Sequence, residues 1–470
     1  MLPNAYGFGN NPLTNTVFWV ILTHCTLKWR GELSRIHTLA LAVALIALAV
    51  PCYATTRDSA SNKAVLDNGI PVLAQESDGD LDAACVFINT GSAADGKDNA
   101  GLTSLVCQAL LSCHPVGKYV PPAIRIEQLG GKAGAAVQSD YTCFTLVCQH
   151  KSFGEALVVL AEALTRPECS DASVGVEKDG LLCRQGLRED RLMERAYRAF
   201  MEKSYGAEPY GLDPLGVPDT VGRLGMPEMH AWLAEHCRPE EMLISVAATD
   251  ASRALKQVAD AFGGLQKGQR AVKGVPKAGQ GSPVTESRTY EVEGSQSGAA
   301  AVIGYTAPPL GSPDYPAMKL AEALISGGMG SRAFRSLRDE DQLAYSFGSL
   351  MPPRAEVSRL AFYVATDSDK VYPAVEAVQR AVKELREGRI TDEELVRAKG
   401  AAVGEISLSR ETSLGRAMSA GVFELMGLST GYGDYVARQI EKLDRRDVAK
   451  AAERYMDKYT LVVLKPGRVR

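Results

Sequence analysis

The stretch "NAGLTSLVCQALLSC" (99–113) sets apolar residues at helical spacing and reads as a helix opened by Asn99 and Gly101. Its polar positions Ser104, Cys107 and Gln108 fall at i, i+3 and i+4, so they share one helical face. Further along, "TCFTLVCQH" alternates as a strand, "KSFGEALVVLAEALTRP" follows as an amphipathic helix, and "DASVGVEKDGLLCRQ" starts another. The same order returns in "LAFYVAT", "DKVYPAVEAVQRAVKELREG" and "TDEELVRAKGAAVGE", with Glu177 and Glu394 in matching places. Each copy closes with a helix running into a strand, in "MHAWLAEHCRPEEMLISVAA" and "VAKAAERYMDKYTLVVLKP". Between the copies, "LQKGQRAVKGVPKAGQGSP" has no periodicity and reads as a linker. The pattern predicts two copies of one α+β unit, residues 55–264 and 285–470, joined by a linker over 265–284. Such halves commonly face each other across a cleft, where sites often lie.

Charge and composition change this picture little. With 52 basic and 56 acidic residues the chain carries no footprint for nucleic acid, which is excluded as a partner on this ground. The N-terminus says more. Lys28, Arg30 and Arg35 precede the apolar run "LALAVALIALAV" and then "PCYA", which together read as a secretory signal cut after Ala54. The expected location is therefore periplasmic or extracellular, and residues 1–54 stand outside the fold. Pro51 argues against lipid attachment at Cys52. After the cut remain Cys85, Cys107, Cys113, Cys143, Cys148, Cys169, Cys183 and Cys237, with no C-x-x-C pair. Most of them sit in apolar runs and read as small buried hydrophobes.

The arrangement resembles the pitrilysin/insulinase family of zinc peptidases, in its short bacterial form related to the mitochondrial processing peptidase. The residues that carry the resemblance are "AVLDNGIPVLAQES", "FINTGSAAD", "AGLTSLVCQALL", "EQLGGKAGA", "EPYG" and, most specifically, "SGGMGSRAFRSLRDEDQLAYSFGS". The resemblance implies two homologous halves, each an antiparallel-rich sheet packed against helices. In catalytic members the first helix carries H-x-x-E-H, whose histidines bind zinc while the glutamate activates the bound water. Matched to that helix, Ser104 and Gln108 stand at the histidine positions and Cys107 at the base, while the third-ligand position falls on Arg184. All four have changed. Serine and glutamine are poor zinc ligands beside imidazole, a cysteine does not replace a carboxylate as proton shuttle, and an arginine puts a fixed cation where a dication belongs. A repurposed site of Cys107, Cys113 and His114 is disfavoured, since Cys113 lies on another face of a straight helix.

The second half keeps its part of the pattern. In the family an arginine and a tyrosine seven residues apart hold the substrate backbone and the developing oxyanion, and Arg338 and Tyr345 match in identity and spacing. The bland alternative is an arginine paired with Asp339 or Asp341 and a tyrosine packed in a strand. The adjacent "SGGMGSR" lacks phosphate-loop spacing and reads as a turn between helices. A lost zinc half beside a kept Arg/Tyr half implies a non-catalytic subunit without a cofactor of its own. Its expected partners are a zinc-binding sibling in a heterodimer, or a second copy in a homodimer, and an unfolded peptide substrate. The chain alone is expected to be inactive. The alternative is a peptide-binding pseudopeptidase or envelope scaffold with no hydrolytic role.

Overall fold

A computed structural model describes residues 62–113, 120–266, 281–294 and 298–467. Residues 1–54, expected to be a secretory signal, and most of the linker lie outside the described residues. The first half runs β1 (Asn62–Val65), β2 (Pro71–Glu76), β3 (Leu81–Ile88), α1 (Leu102–Ser112), α2 (Pro122–Gln128), β4 (Lys132–Val137) and β5 (Thr142–Gln149). It continues through α3 (Phe153–Thr165), α4 (Asp171–Glu189), α5 (Leu192–Tyr205), α6 (Pro218–Arg223), α7 (Met226–His236), β6 (Met242–Ala248) and α8 (Ala251–Phe262). The second half runs β7 (Arg288–Gly294), β8 (Ala299–Ala307), α9 (Tyr315–Ser326), α10 (Arg332–Phe334), β9 (Ser346–Leu350) and β10 (Ser358–Thr366). It ends with α11 (Val371–Arg386), α12 (Asp392–Leu408), α13 (Ser413–Leu425), α14 (Tyr432–Lys442), α15 (Arg445–Tyr455) and β11 (Tyr459–Pro466). The periodic segments of the sequence thus form the elements they predict.

Two sheets result, ordered β1-β2-β6-β3-β5-β4 and β7-β11-β8-β10-β9. Each is antiparallel apart from one parallel pair, β2 with β6 and β7 with β11, so the second sheet repeats the first without β1. The half-repeat fold is α+β, as expected. The helical correspondence differs in one detail. Ser170 caps α4 and Thr391 caps α12, and Glu394 is the third residue after its cap, where α4 carries Ser173. Glu177 therefore lies one turn further along its helix than Glu394, and the two do not match.

What joins the halves is an exchange of helices. One face of the first sheet is covered by its own α1, α3 and α8, whereas the other face, with Leu73, Cys85, Phe87, Cys143 and Leu243, packs into one core with α13 of the second half. Reciprocally, the second sheet has α9, α11 and α15 on one side and α5 of the first half on the other, where Ala196 and Phe200 meet Ala300, Val302, Ala361 and Val462. Strands covered on both faces lose polar alternation, and β8, "AAAVIGYTA", is buried throughout.

The two crossings interlock in opposite senses. Phe87 pairs across the sheet with Leu243, and Gly304 with Thr460, which are the second residues of β6 and β11, so Phe87 and Gly304 are counterparts. On the helices, Phe200 and Gly421 are counterparts, each eight residues beyond the start of its helix. A Cβ on Gly304 would sit 2.1 Å from Phe200, and one on Gly421 would sit 2.0 Å from Phe87. One half supplies the ring from its sheet and the other receives it there.

A polar seam reinforces the joint. Arg359, 2% exposed, donates from Nε to Ser204 Oγ at 2.7 Å and from Nη2 to the carbonyls of Ser204 and Ser282 at 3.0 and 2.8 Å, with its guanidinium 4.1 Å above the Tyr205 ring. Nearby, the Tyr210 hydroxyl donates to buried Asp140, whose other oxygen accepts from the Ala355 amide at 3.2 Å, and Arg354 stacks on Tyr210. A buried guanidinium with this many acceptors is tolerated because each removes part of its desolvation cost.

Candidate functional site

α1 begins at Gly101, whose φ of 97° falls in the left-handed region. Asn99 contributes its backbone carbonyl, which accepts from Leu102. The side-chain cap comes instead from Asp95, whose carboxylate accepts from the amides of Gly101 and Thr103 at 3.2 Å and from the Thr103 hydroxyl. This corrects the expectation that Asn99 opens the helix: an acid six residues before Gly101 does so through a loop. Burial outweighs these hydrogen bonds and pushes the Asp95 carboxyl up to about 6.

The polar face of α1 is built into the structure. Ser104, buried, donates to the Pro214 carbonyl at 2.5 Å. Gln108, half-buried, reaches Ser112 one turn along at 3.4 Å. Cys107 is 1% exposed, and burial drives its thiol well above the usual range, so it stays protonated. α4 packs against α1 and carries Arg184, half-buried, beside Gln185 and Arg188. Gln185 donates to the Leu215 carbonyl at 2.6 Å, and Arg188 holds Asp213 through two bonds at 2.9 and 3.3 Å. Both helices thus hand hydrogen bonds to one loop, 213–216. Of a hydroxyl, a thiol, an amide and a guanidinium, only the thiol is a good zinc ligand, and one such donor beside a fixed cation does not fit a zinc ion, which takes several from thiolate, imidazole or carboxylate. Among the described residues, no three His, Cys, Asp or Glu side chains gather as a metal-binding group.

Arg338 and Tyr345 are placed differently. From Arg335 to Glu340 the helical chain widens into i→i+5 turns, and Arg338 is exposed there with its guanidinium 5.6 Å from the Phe334 ring centre. The chain then reverses through Gln342, whose φ of 50° makes it the single non-glycine residue with positive φ among the described residues. Leu337 accepts from both Leu343 and Ala344, and the Tyr345 amide donates to Ala365 at 2.9 Å, which delivers the tyrosine to the start of edge strand β9. Tyr345 is 64% exposed, and its hydroxyl bonds to Asp367, which raises the phenol above its ordinary range. The turn 327–331 connects helices through Gly328, at φ 83°, as its spacing predicts. Asp367 and Gln342 carried no local signal: one lies 22 residues beyond Tyr345, and the other is defined by its backbone.

Two family models match the chain, insulinase (peptidase family M16) over residues 72–210 and the peptidase M16 inactive domain over 224–401, together more than half of its length. The chain belongs to the insulinase family. An uncharacterized zinc protease of Mycobacterium tuberculosis is 24% identical over 389 residues, covering 81% of this chain and 87% of that protein. One from Bacillus subtilis is 22% identical over 383 residues, covering 81% and 92%. Among solved structures, a protease from Helicobacter pylori superposes with a TM-score of 0.80 at 18% identity, covering 86% of this chain and 99% of that one. A peptidase M16 inactive domain from Pseudomonas fluorescens does so at 0.78 and 21%, covering 87% and 98%. These likenesses establish the insulinase fold across the described halves.

Proposed function

We propose that this chain is the exported, non-catalytic subunit of a heterodimeric zinc peptidase. In this reading it carries no metal; a sibling with an intact H-x-x-E-H helix supplies zinc and base, while Arg338 and Tyr345 contribute to the shared site. The observation that carries the proposal is one contrast. The positions of Ser104, Cys107, Gln108 and Arg184 hold a single zinc-competent donor, the Cys107 thiol, and are buried or half-buried, while Arg338 and Tyr345 stay exposed on a widened turn and a strand start. An arginine and a phenol are suited to hold a peptide carbonyl and the negative charge that develops on it. The name zinc protease borne by the relatives, beside the match to an inactive-domain model, supports the same division of labour.

A second reading, peptide binding without hydrolysis, draws on β4. Among the described residues this strand pairs only with β5, so its other edge, "KAGAAV", offers a backbone ladder of small residues next to α1. Native mass spectrometry with metal quantification on protein purified from its own host separates the two. A one-to-one complex holding one zinc ion is expected for the subunit; a metal-free monomer or homodimer that retains unfolded peptide would overturn it in favour of the binding protein.

A further inference from the structure

Beside the turn 327–331, arginines outnumber the carboxylates that pair with them. Arg332, whose side chain is 9% exposed, donates from Nε and Nη2 to the two oxygens of Glu394 at 2.8 and 2.7 Å. Glu394 also accepts from the amide and hydroxyl of Thr391 at 3.0 and 3.2 Å, so little of it is left for Arg335, whose Nη2 stands 3.5 Å away. Among the described residues Arg397, one turn further along α12, pairs with no carboxylate. Its Nη1 donates to the Gly327 carbonyl at 3.0 Å, and a Cβ on Gly330 would sit 3.0 Å from its Cδ, so the side chain runs under the turn. The other acid, Glu384 of α11, comes no nearer than 3.8 Å to Arg332 Nη1. Three guanidiniums thus face two carboxylates, which leaves one positive charge uncompensated.

Three buried donors at this turn bond to nothing in the chain. Ser331, fully buried at its end, has a hydroxyl without a partner, and the same holds for Arg397 Nη2 and Arg332 Nη1. Burial, and after it the charge of Arg335, pulls the Arg397 guanidinium below its ordinary range. A buried cationic N–H left unmatched is costly, and in native folds such groups are matched by a bound water or ion. A water supplies acceptor lone pairs without charge, whereas an anion supplies both, and the excess of one guanidinium selects a single negative charge. Gly328, Met329 and Gly330 are exposed, so the outer side of the turn is open to solvent and carries a side chain only at Met329.

We propose that the inner side of the turn 327–331 is a binding site for a small monovalent anion of the chloride class, held by Arg397, Arg332 and the Ser331 hydroxyl. The two guanidiniums supply charge and N–H donors, and the serine adds a neutral donor from the turn itself. A doubly charged phosphate or sulfate exceeds the one positive charge left over. The turn leads directly into the segment that widens at Arg335 and exposes Arg338, so the ion braces the base of that segment. The assignment rests on the geometry of this cluster and holds whether or not Arg338 serves a shared peptidase site.

The test uses the full chain without any partner, so its result does not depend on whether a peptidase sibling exists. The melting temperature is followed as sodium chloride replaces sodium gluconate at constant ionic strength, which removes general screening from the comparison. The expected result is a rise that grows with the logarithm of chloride concentration, as one-site binding to the folded state requires. Arg397→Gln keeps most of the stem and removes the charge, and it should abolish this dependence. Crystals of the parent grown with sodium bromide need no variant: an anomalous peak is expected within hydrogen-bonding distance of Arg397 and the Ser331 hydroxyl. A melting temperature indifferent to chloride, an equal rise in Arg397→Gln, or a water molecule in place of the bromide peak would each overturn the proposal.

Discussion

The two halves share strand order, one parallel pair each, and a helix lent to the other's sheet, yet at the point of crossing they reverse which element carries bulk. In the second sheet a helical ring, Phe200, enters the space left by a strand glycine, Gly304; in the first a strand ring, Phe87, enters the space left by a helical glycine, Gly421. Close packing demands one large and one small partner at each crossing but does not say which element supplies which. The consequence is that neither half owns a complete core. Each sheet leaves one face uncovered unless the other half is present.

The largest effect is expected where this complementarity is broken. Phe200→Ala should cost about 3–5 kcal/mol in urea unfolding, through lost burial and the cavity left behind. Gly304→Ala alone should cost about 1–3 kcal/mol by overpacking against the ring, and much less once Phe200 is already alanine. The same cycle on Phe87 and Gly421 should give coupling of the same sign. Additive costs in either cycle would mean that the ring and the glycine are not partners.

This exchange also marks where sequence reading stops. The apolar face of "ERAYRAFMEKSY" is plain in the sequence, as is its place in a core or interface, because helical periodicity is a local property. Which sheet that face covers is decided by residues about a hundred positions away, and no periodicity encodes it. The same holds for the cap of α1: Asn99 is the obvious local candidate, but Asp95 reaches the helix through a loop. At the candidate site the residue types and the spacing of Arg338 and Tyr345 were legible. The widened turn and the positive φ of Gln342 that deliver them to the surface were not.

The polar seam should respond next. Arg359→Ala removes four hydrogen bonds from a charged donor and leaves the carbonyls of Ser204, Ser282 and Ser358 without it, a loss of about 2–3 kcal/mol. Arg359→Lys should recover only part of it, since an ammonium cannot span the two carbonyls and the Ser204 hydroxyl in one plane while stacking on Tyr205. Full recovery by lysine would reduce the seam to simple charge.

Two carboxylates, one in each half, should then titrate in opposite directions. Asp95 is held at about 6 against 3.8 ordinarily, so the fold favours its protonated form. Its contribution is complete below 3.8 and is lost as pH rises through 6, by about 1–2 kcal/mol after allowing for solvent screening at this half-buried group. Glu394, hydrogen-bonded by Arg332, is lowered from 4.5 to about 2, so its contribution is present above 4.5 and is lost as pH falls through 2. Between about pH 4 and 6 stability should therefore decline with rising pH. Asp95→Asn should remove part of that slope, leaving the part due to buried Asp140, whose carboxyl is also raised. A slope unchanged by Asp95→Asn would show that the carboxylate is already solvated in the folded state.

The smallest effect on stability is expected at Arg338 and Tyr345, and it bears most directly on function. Neither side chain is buried, so Arg338→Ala and Tyr345→Phe should each shift unfolding by no more than about 0.5 kcal/mol. Gln342→Gly, by contrast, relieves a positive φ and should be neutral or slightly stabilising if only the fold matters. In the proposed pair with a zinc-bearing sibling, the first two substitutions should lower kcat/KM for a peptide by about tenfold or more each, as loss of a charge-stabilising donor does elsewhere. A fall in kcat with little change in KM would place the two groups at the developing oxyanion; a rise in KM alone would make them peptide holders. Unchanged cleavage with unchanged stability would remove the reason for contrasting an exposed Arg/Tyr pair with the buried polar face of α1.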